Sequence, residues 1–115
     1  ILLVDDEPRA LEAVAEMLAT DGHAVDAVAS GPEALDRFDP ESHSLAITDQ
    51  AMPEMSGTQL AAALRQQAPK LPILLLTGFG DMLPASGEGM AAIDRVLSKP
   101  VTLAELRRAV ARTVA

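Results

Sequence analysis

Residues 45–57 read Leu45-Ala46-Ile47-Thr48-Asp49-Gln50-Ala51-Met52-Pro53-Glu54-Met55-Ser56-Gly57, and this stretch decides how the rest of the chain is arranged. Leu45, Ala46 and Ile47 form a short apolar run between polar neighbours, the pattern of a strand buried on both faces of a parallel sheet. Asp49 stands where that strand ends. Met52-Pro53 breaks the chain into a loop, and Ser56-Gly57-Thr58-Gln59 fits a capping box, with Ser56 accepting from the first helical turn and Gln59 reaching back. A carboxylate at the carboxyl end of a strand lies where open parallel sheets bind ligands and carry out chemistry. Taken alone, Asp49 could instead begin an ordinary turn; the segments on either side weigh on that choice.

Towards the N-terminus, Ile1 to Val4 is an aliphatic run that ends in Asp5-Asp6-Glu7. Pro8 is tolerated in a first helical turn, and Leu11, Val14, Ala15 and Leu18 predict an amphipathic helix over 8–20, ended by Asp21-Gly22. Ala24, Val25, Ala27 and Val28 mark a second strand within 23–29. Ser30-Gly31-Pro32-Glu33 is a second capping box, for a helix using Ala34, Leu35 and Phe38 that Asp39-Pro40-Glu41 terminates. Towards the C-terminus, Leu60, Ala61, Leu64 and Ala68 make a helix closed by Pro69, and Ile73 to Leu76 is a fourth strand ending in Thr77-Gly78. Over 79–93, Pro84, Gly87 and Gly89 cut any helix to a turn or two. Arg95 to Leu97 is a brief fifth strand and Ser98-Lys99-Pro100 a turn. Thr102-Leu103-Ala104-Glu105 then caps a last helix with Leu103, Leu106, Val110 and Val114 on one face. Five strands alternating with helices over short, right-handed connections give an α/β fold, a doubly wound parallel sheet with helices on both faces.

Composition narrows the rest. A length of 115 residues suits one domain over 1–115, and 49% hydrophobic residues with two Phe and no Tyr or Trp give an aliphatic core. Nine Lys and Arg against seventeen Asp and Glu leave a net charge of −8, which repels a phosphate backbone and argues against direct nucleic-acid binding by this domain. Without cysteine there is neither a disulfide nor a Cys-ligated zinc site. The apolar runs fall short of a membrane span and no signal segment leads the chain, so a cytoplasmic domain without membrane contact is expected. The start inside a strand and the end at Ala115 suit a domain cut from a longer chain.

Charged and hydroxyl side chains recur at the strand ends: Asp5 and Asp6 after the first, Asp49 after the third, Thr77 after the fourth and Lys99 after the fifth. Each has an ordinary alternative. Asp5 and Asp6 could be helix N-terminal acids, Lys99 a solvated turn lysine and Thr77 a hydroxyl satisfied by backbone. Should the first strand lie beside the third, however, three carboxylates meet and require a cation. Magnesium suits such an all-oxygen site, taking one or two carboxylates, a phosphate oxygen and waters. Lys99 can receive another phosphate oxygen and Thr77 can donate to a third, while Asp49 can attack phosphorus to form an aspartyl phosphate. His23 and His43 read as isolated surface or turn residues, and Met52 and Met55 as packing for the loop.

The segments 1–8, Ile-Leu-Leu-Val-Asp-Asp-Glu-Pro; 48–57, Thr-Asp-Gln-Ala-Met-Pro-Glu-Met-Ser-Gly; 74–78, Leu-Leu-Leu-Thr-Gly; and 97–100, Leu-Ser-Lys-Pro, together resemble the receiver domain of two-component response regulators over the whole chain. The resemblance implies a flavodoxin-like three-layer sandwich with strand order 2-1-3-4-5. It implies that Asp49 accepts a phosphoryl group from a histidine of a sensor kinase or phosphotransfer protein. By the same resemblance Asp5, Asp6, Asp49 and the backbone carbonyl of Ala51 hold Mg2+, Thr77 and Lys99 approach the phosphoryl group, and the Lys99-Pro100 bond is cis. The domain is then a phosphoacceptor that assists its own phosphorylation and dephosphorylation rather than a metabolic enzyme.

Two departures stand out. Receivers commonly carry Tyr or Phe three positions before the lysine, and here that position is Val96. With an interrupted fourth helix as well, output is expected through a relay, through the side of the first helix, or through ordering of 79–93. Phe79, two residues beyond Thr77, is expected to shield an acyl phosphate from water. The wording Gln50-Ala51-Met52-Pro53 resembles receivers attached to hybrid sensor histidine kinases. Among rival readings, an aspartate-nucleophile phosphatase needs a second acid where Ala51 stands, and a flavin binder lacks aromatic rings for stacking. A docking module that has lost phosphorylation is opposed by the complete set of site residues.

Overall fold

The computed structural model describes every residue except Phe79, Met82, Ala85 and Ala115. The elements are β1 (Leu2–Val4), α1 (Pro8–Thr20), β2 (Asp26–Val28), α2 (Gly31–Arg37), β3 (Ala46–Asp49), α3 (Gly57–Gln67), β4 (Ile73–Thr77), α4 (Glu88–Ala91), β5 (Arg95–Ser98) and α5 (Leu103–Val114). The five strands form one parallel sheet in the order β2-β1-β3-β4-β5. This is the doubly wound architecture expected from the alternation of strands and helices.

Alternating side chains on the central strands build two aliphatic layers. Leu2, Val4, Ala46 and Ile73 face a layer that Ala34 of α2 and Leu60, Ala61 and Leu64 of α3 complete. Leu3, Ile47, Leu74 and Leu76 face the opposite layer, filled by Val14 and Leu18 of α1 and Leu106, Ala109 and Val110 of α5. Met52 is buried in the first layer and Met55 packs against it, so the loop after β3 is seated by its methionines.

The helix starts differ in detail from the expected boxes. At α3 the box closes in both directions, Ser56 Oγ accepting from the Gln59 N–H at 3.2 Å and Gln59 Oε1 from the Ser56 N–H at 2.9 Å. At α2 only the Ser30 half forms, at 3.2 Å, while Glu33 approaches Arg37 at 3.9 Å. At α5 Thr102 Oγ1 accepts from the Glu105 N–H at 3.1 Å, and the Glu105 carboxylate takes the Thr102 hydroxyl at 2.9 Å instead of reaching the backbone. In both cases the carboxylate meets a side-chain partner, a guanidinium or a hydroxyl, in place of the N-cap N–H.

β2 is shorter than the expected 23–29 because its one neighbour, β1, offers three residues, with Leu2 opposite Asp26 and Val4 opposite Val28. α4 is a single turn. Gly87 precedes it at φ 110, a conformation that side-chain-bearing residues rarely adopt. His43 corrects the surface reading. It is 8% exposed, its ring stacks on Phe38 with centroids 5.8 Å apart, and Nδ1 accepts from the Asp39 N–H at 3.0 Å. That leaves Nε2 to carry the proton towards Asp26 Oδ2, 3.2 Å away, so the ring fastens the loop after α2 to the edge strand β2. His23 is half-exposed, as expected. Among the described residues no helix is long and apolar enough to cross a membrane.

Candidate functional site

Register assembles the site. Val4 lies opposite Thr48, so the residues that follow, Asp5 and Asp49, leave adjacent strands side by side. Thr77 lies opposite Ser98, which puts Lys99 immediately beyond the end of β4, and the Lys99 N–H donates to Thr77 O at 2.7 Å. The Lys99-Pro100 peptide is cis. Carboxylate oxygens of Asp5, Asp6 and Asp49 lie within 4.8 Å of one another. Asp5 and Asp49 are 1% and 5% exposed, whereas Asp6 is open to solvent.

Lys99 crosses the sheet edge to bridge the buried pair. Its Nζ donates to Asp5 Oδ2 at 2.8 Å and lies 2.9 Å from Asp49 Oδ1. Asp5 is further held by the Glu7 N–H, which donates to its Oδ1 at 3.0 Å. Asp49, Lys99, Asp6 and Ala51 line an open cleft of about 390 Å³ together with Gly78 and Asp81. Thr77 stands apart in one respect: its hydroxyl turns towards β5, donating to Leu97 O over 3.5 Å. Phe79 lies outside the described residues.

Burial pushes the Asp49 carboxyl above its ordinary range; the hydrogen bond from Lys99 pulls it back, and the charges of Asp5 and Asp81 add to the rise. For Lys99, burial draws the ammonium down, but its hydrogen bonds to Asp5 and Asp49 outweigh this and hold it above the ordinary lysine value. A carboxyl whose folded pKa is raised contributes stability that is present below its unfolded value, 3.8, and lost as pH rises through the folded one. In metal-free solution at neutral pH, Asp49→Asn is therefore expected to melt at a higher temperature than the wild type. The gap is expected to close as pH is lowered towards about 4. Thermal melts of both proteins across that range check it, and a gap that widens on acidification contradicts the assignment.

Sequence reasoning missed the scaffold behind Asp49. Gln50 is 5% exposed; its Oε1 accepts from the Thr58 N–H at 2.9 Å and its backbone O from the Gly57 N–H at 3.0 Å. These bonds fold the loop from β3 back onto the start of α3. The approach is so close that a Cβ on Gly57 would stand 2.3 Å from Asp49 O and 2.6 Å from Leu75 Cδ1. Gly57→Ala is accordingly expected to cost about 1–3 kcal/mol despite the better helix propensity of Ala. Urea unfolding measures it; a neutral or stabilising result would mean that the Asp49 backbone yields freely. The Gln50–Thr58 pairing spans eight residues and follows no local spacing rule. Asp81 was missed because the irregular 79–93 segment gave it no element to sit on.

Fold and site together define a class: a flavodoxin-like doubly wound domain with an acidic, lysine-bridged cleft at the switch point of its sheet. Residues 1–111 match the family model of the response regulator receiver domain, and the chain belongs to that family. It is 39% identical over 107 residues to the two-component response regulator PhoP of Pseudomonas aeruginosa, covering 92% of this chain and 47% of that protein. To the transcriptional regulatory protein GlrR of Escherichia coli it is 34% identical over 110 residues, covering 96% of this chain and 25% of that protein. The chain thus spans from a quarter to just under half of these relatives. Among solved structures, a response regulator receiver domain protein from Clostridium thermocellum superposes with a TM-score of 0.89 at 30% identity, over 98% of this chain and 91% of that one. The response regulator TrrA of Thermotoga maritima, solved in complex with Mg2+ and BeF, gives 0.85 at 32%, over 97% and 96%.

Proposed function

We propose that residues 1–115 act as one receiver domain in which Asp49 accepts a phosphoryl group from the phosphohistidine of a sensor kinase or phosphotransfer protein. The observation that carries this reading is the placement of a buried Asp49 carboxylate 2.9 Å from the Lys99 ammonium at the rim of an open cleft. An Asp49 oxygen bonds to phosphorus as the phosphorus–nitrogen bond breaks, and the imidazole keeps the electron pair. Lys99 is placed to follow the charge from the carboxylate onto a phosphoryl oxygen. The Thr77 hydroxyl, on a long bond to Leu97 O, gives up little by turning to another. Hydrolysis by water returns Asp49 and phosphate.

The donor set fits magnesium. Asp5 and Asp49 place two buried negative charges against a single ammonium and Asp6 adds a third, all through oxygen. Asp5, Asp6, Asp49 and the carbonyl of Ala51 would hold the ion. When bound, it supplies neutralisation of the oxygens of the transferring group. The presence of Mg2+ and BeF in the Thermotoga maritima relative supports the assignment.

We place the domain in the cytoplasm, which its membership of the receiver family supports, and upstream of a regulator output, because the relatives named above carry regulator names. Contact with DNA by a longer protein would then fall to other parts, since this domain carries a charge of −8. The wording around Gln50 to Pro53 keeps attachment to a hybrid kinase as the second reading, and the protein sequence flanking residues 1–115 distinguishes the two. The direct test of the site is an intact mass after incubation with Mg2+ and acetyl phosphate. One added phosphoryl group, absent without Mg2+, is expected. No adduct from acetyl phosphate or other small donors would overturn the reading in favour of a docking module.

A further inference from the structure

Gly78 follows Thr77 at the carboxyl end of β4, on the wall of the cleft that holds Asp49 and Lys99. Its N–H is a backbone donor on that wall, and it is already engaged. Asp81 Oδ2 accepts from it at 2.6 Å, and the Asp81 N–H returns to Gly78 O at 3.2 Å. Gly80, at φ 86, permits the tight return. A carboxylate folded onto its own turn is common on protein surfaces. Here the turn lines a cleft that already holds Asp6 and Asp49, with Lys99 as the cation among its lining residues.

We propose that Asp81 is a tethered anion that occupies the Gly78 N–H until a phosphoryl group takes its place, and so sets how readily Asp49 is phosphorylated. This rests on Asp49 being the phosphoacceptor. A phosphoryl group brings more negative charge than the carboxylate it modifies and three strong acceptor oxygens. It therefore competes for the Gly78 N–H by hydrogen bonding and repels Asp81 by charge. The exchange leaves the N–H satisfied throughout, with one charge-assisted bond traded for another. Asp81 is half-buried at the cleft wall, so its carboxylate can swing into water without crossing the core. The Asp81 charge adds to the rise in the Asp49 pKa, so the two carboxylates already feel one another across the cleft. Asp81 is on this account a positioning residue: it makes no bond to phosphorus, and it opposes occupancy of the site by any anion.

Beryllofluoride with Mg2+ tests the idea by binding rather than turnover, using calorimetry on the wild type, Asp81→Asn and Asp81→Ala. Asn keeps an acceptor for Gly78 and removes the charge, whereas Ala removes both. Asp81→Ala is expected to tighten beryllofluoride binding about five- to tenfold, in line with loss of one partly screened like charge, and Asp81→Asn by less. The advantage should shrink as salt is raised. A purely structural role would lower the melting temperature of Asp81→Ala and leave the affinity of both variants unchanged or weaker; that outcome overturns the proposal. Should Asp81→Ala fail to fold, Asp81→Asn decides alone, with unchanged affinity counting against the latch. Wild-type protein that binds beryllofluoride while the variants match it removes only the latch. Wild-type protein that neither binds it nor gains a phosphoryl group removes the Asp49 reading and the latch with it.

Discussion

Asp49→Asn is expected to reduce phosphoryl incorporation to background, from one group per chain to none, in the presence of Mg2+ and either acetyl phosphate or a phosphorylated histidine donor. The substitution keeps the shape of the side chain and removes the nucleophilic oxygen charge. Nothing nearby can substitute well. Asp5 is held by the Glu7 N–H on one oxygen and by Lys99 on the other, at 3.0 and 2.8 Å, and is 1% exposed, so it has no free face to offer phosphorus. Asp6 is exposed but ends a different strand. Because Asp49→Asn relieves a buried carboxylate rather than breaking the core, the variant is expected to remain folded. Loss of label then reports chemistry. Intact mass on both proteins reads the result, and retained incorporation at another residue, located by peptide mapping, would sink the assignment.

The second large effect is expected at Lys99. Lys99→Ala leaves Asp5 and Asp49 facing each other without their shared ammonium. Breaking a fully buried ion pair costs about 3–5 kcal/mol, and the open cleft on one side reduces this to about 2–3 kcal/mol in metal-free solution. Mg2+ should restore part of the loss, since an ion that binds the folded chain alone stabilises it by mass action. Phosphoryl acceptance should stay slow even with saturating Mg2+, by roughly 10²- to 10³-fold, the usual consequence of losing one donor to transition-state charge. Chemical unfolding with and without Mg2+ and the rate of phosphoryl incorporation separate the two roles. A variant that is destabilised yet phosphorylated at the wild-type rate would make Lys99 a structural counter-ion only.

The strand ends were legible in the sequence for a simple reason. A parallel sheet delivers every carboxyl end to one edge, so Asp5, Asp49, Thr77 and Lys99 needed no distance information to be placed together. The strand order came by resemblance, and the register that sets Asp5 beside Asp49 is a property of pairing between distant segments. What escaped notice shares that dependence. Whether His43 is buried depends on Asp26 and Phe38, and the Gln50 side chain acquires its role through Thr58. The Thr77 hydroxyl direction is a rotamer, set by Leu97 on the next strand. Glu33 and Glu105 fit the capping pattern equally well on paper, and each instead meets a side-chain partner. Local spacing therefore located elements and their ends, while partners chosen across the sheet stayed invisible.

The place of β3 in the sheet has a mechanical corollary. All four of its residues are buried, with strands paired on both sides, so Asp49 terminates the part of the molecule whose amides are expected to exchange with solvent last. α4 has four residues, none of them buried, and Val96 on the outermost strand beside it is 44% exposed. A change of chemical state at Asp49 would thus occur on an unyielding support, and the deformation it provokes is expected on the more exposed side of the sheet, at α4 and β5.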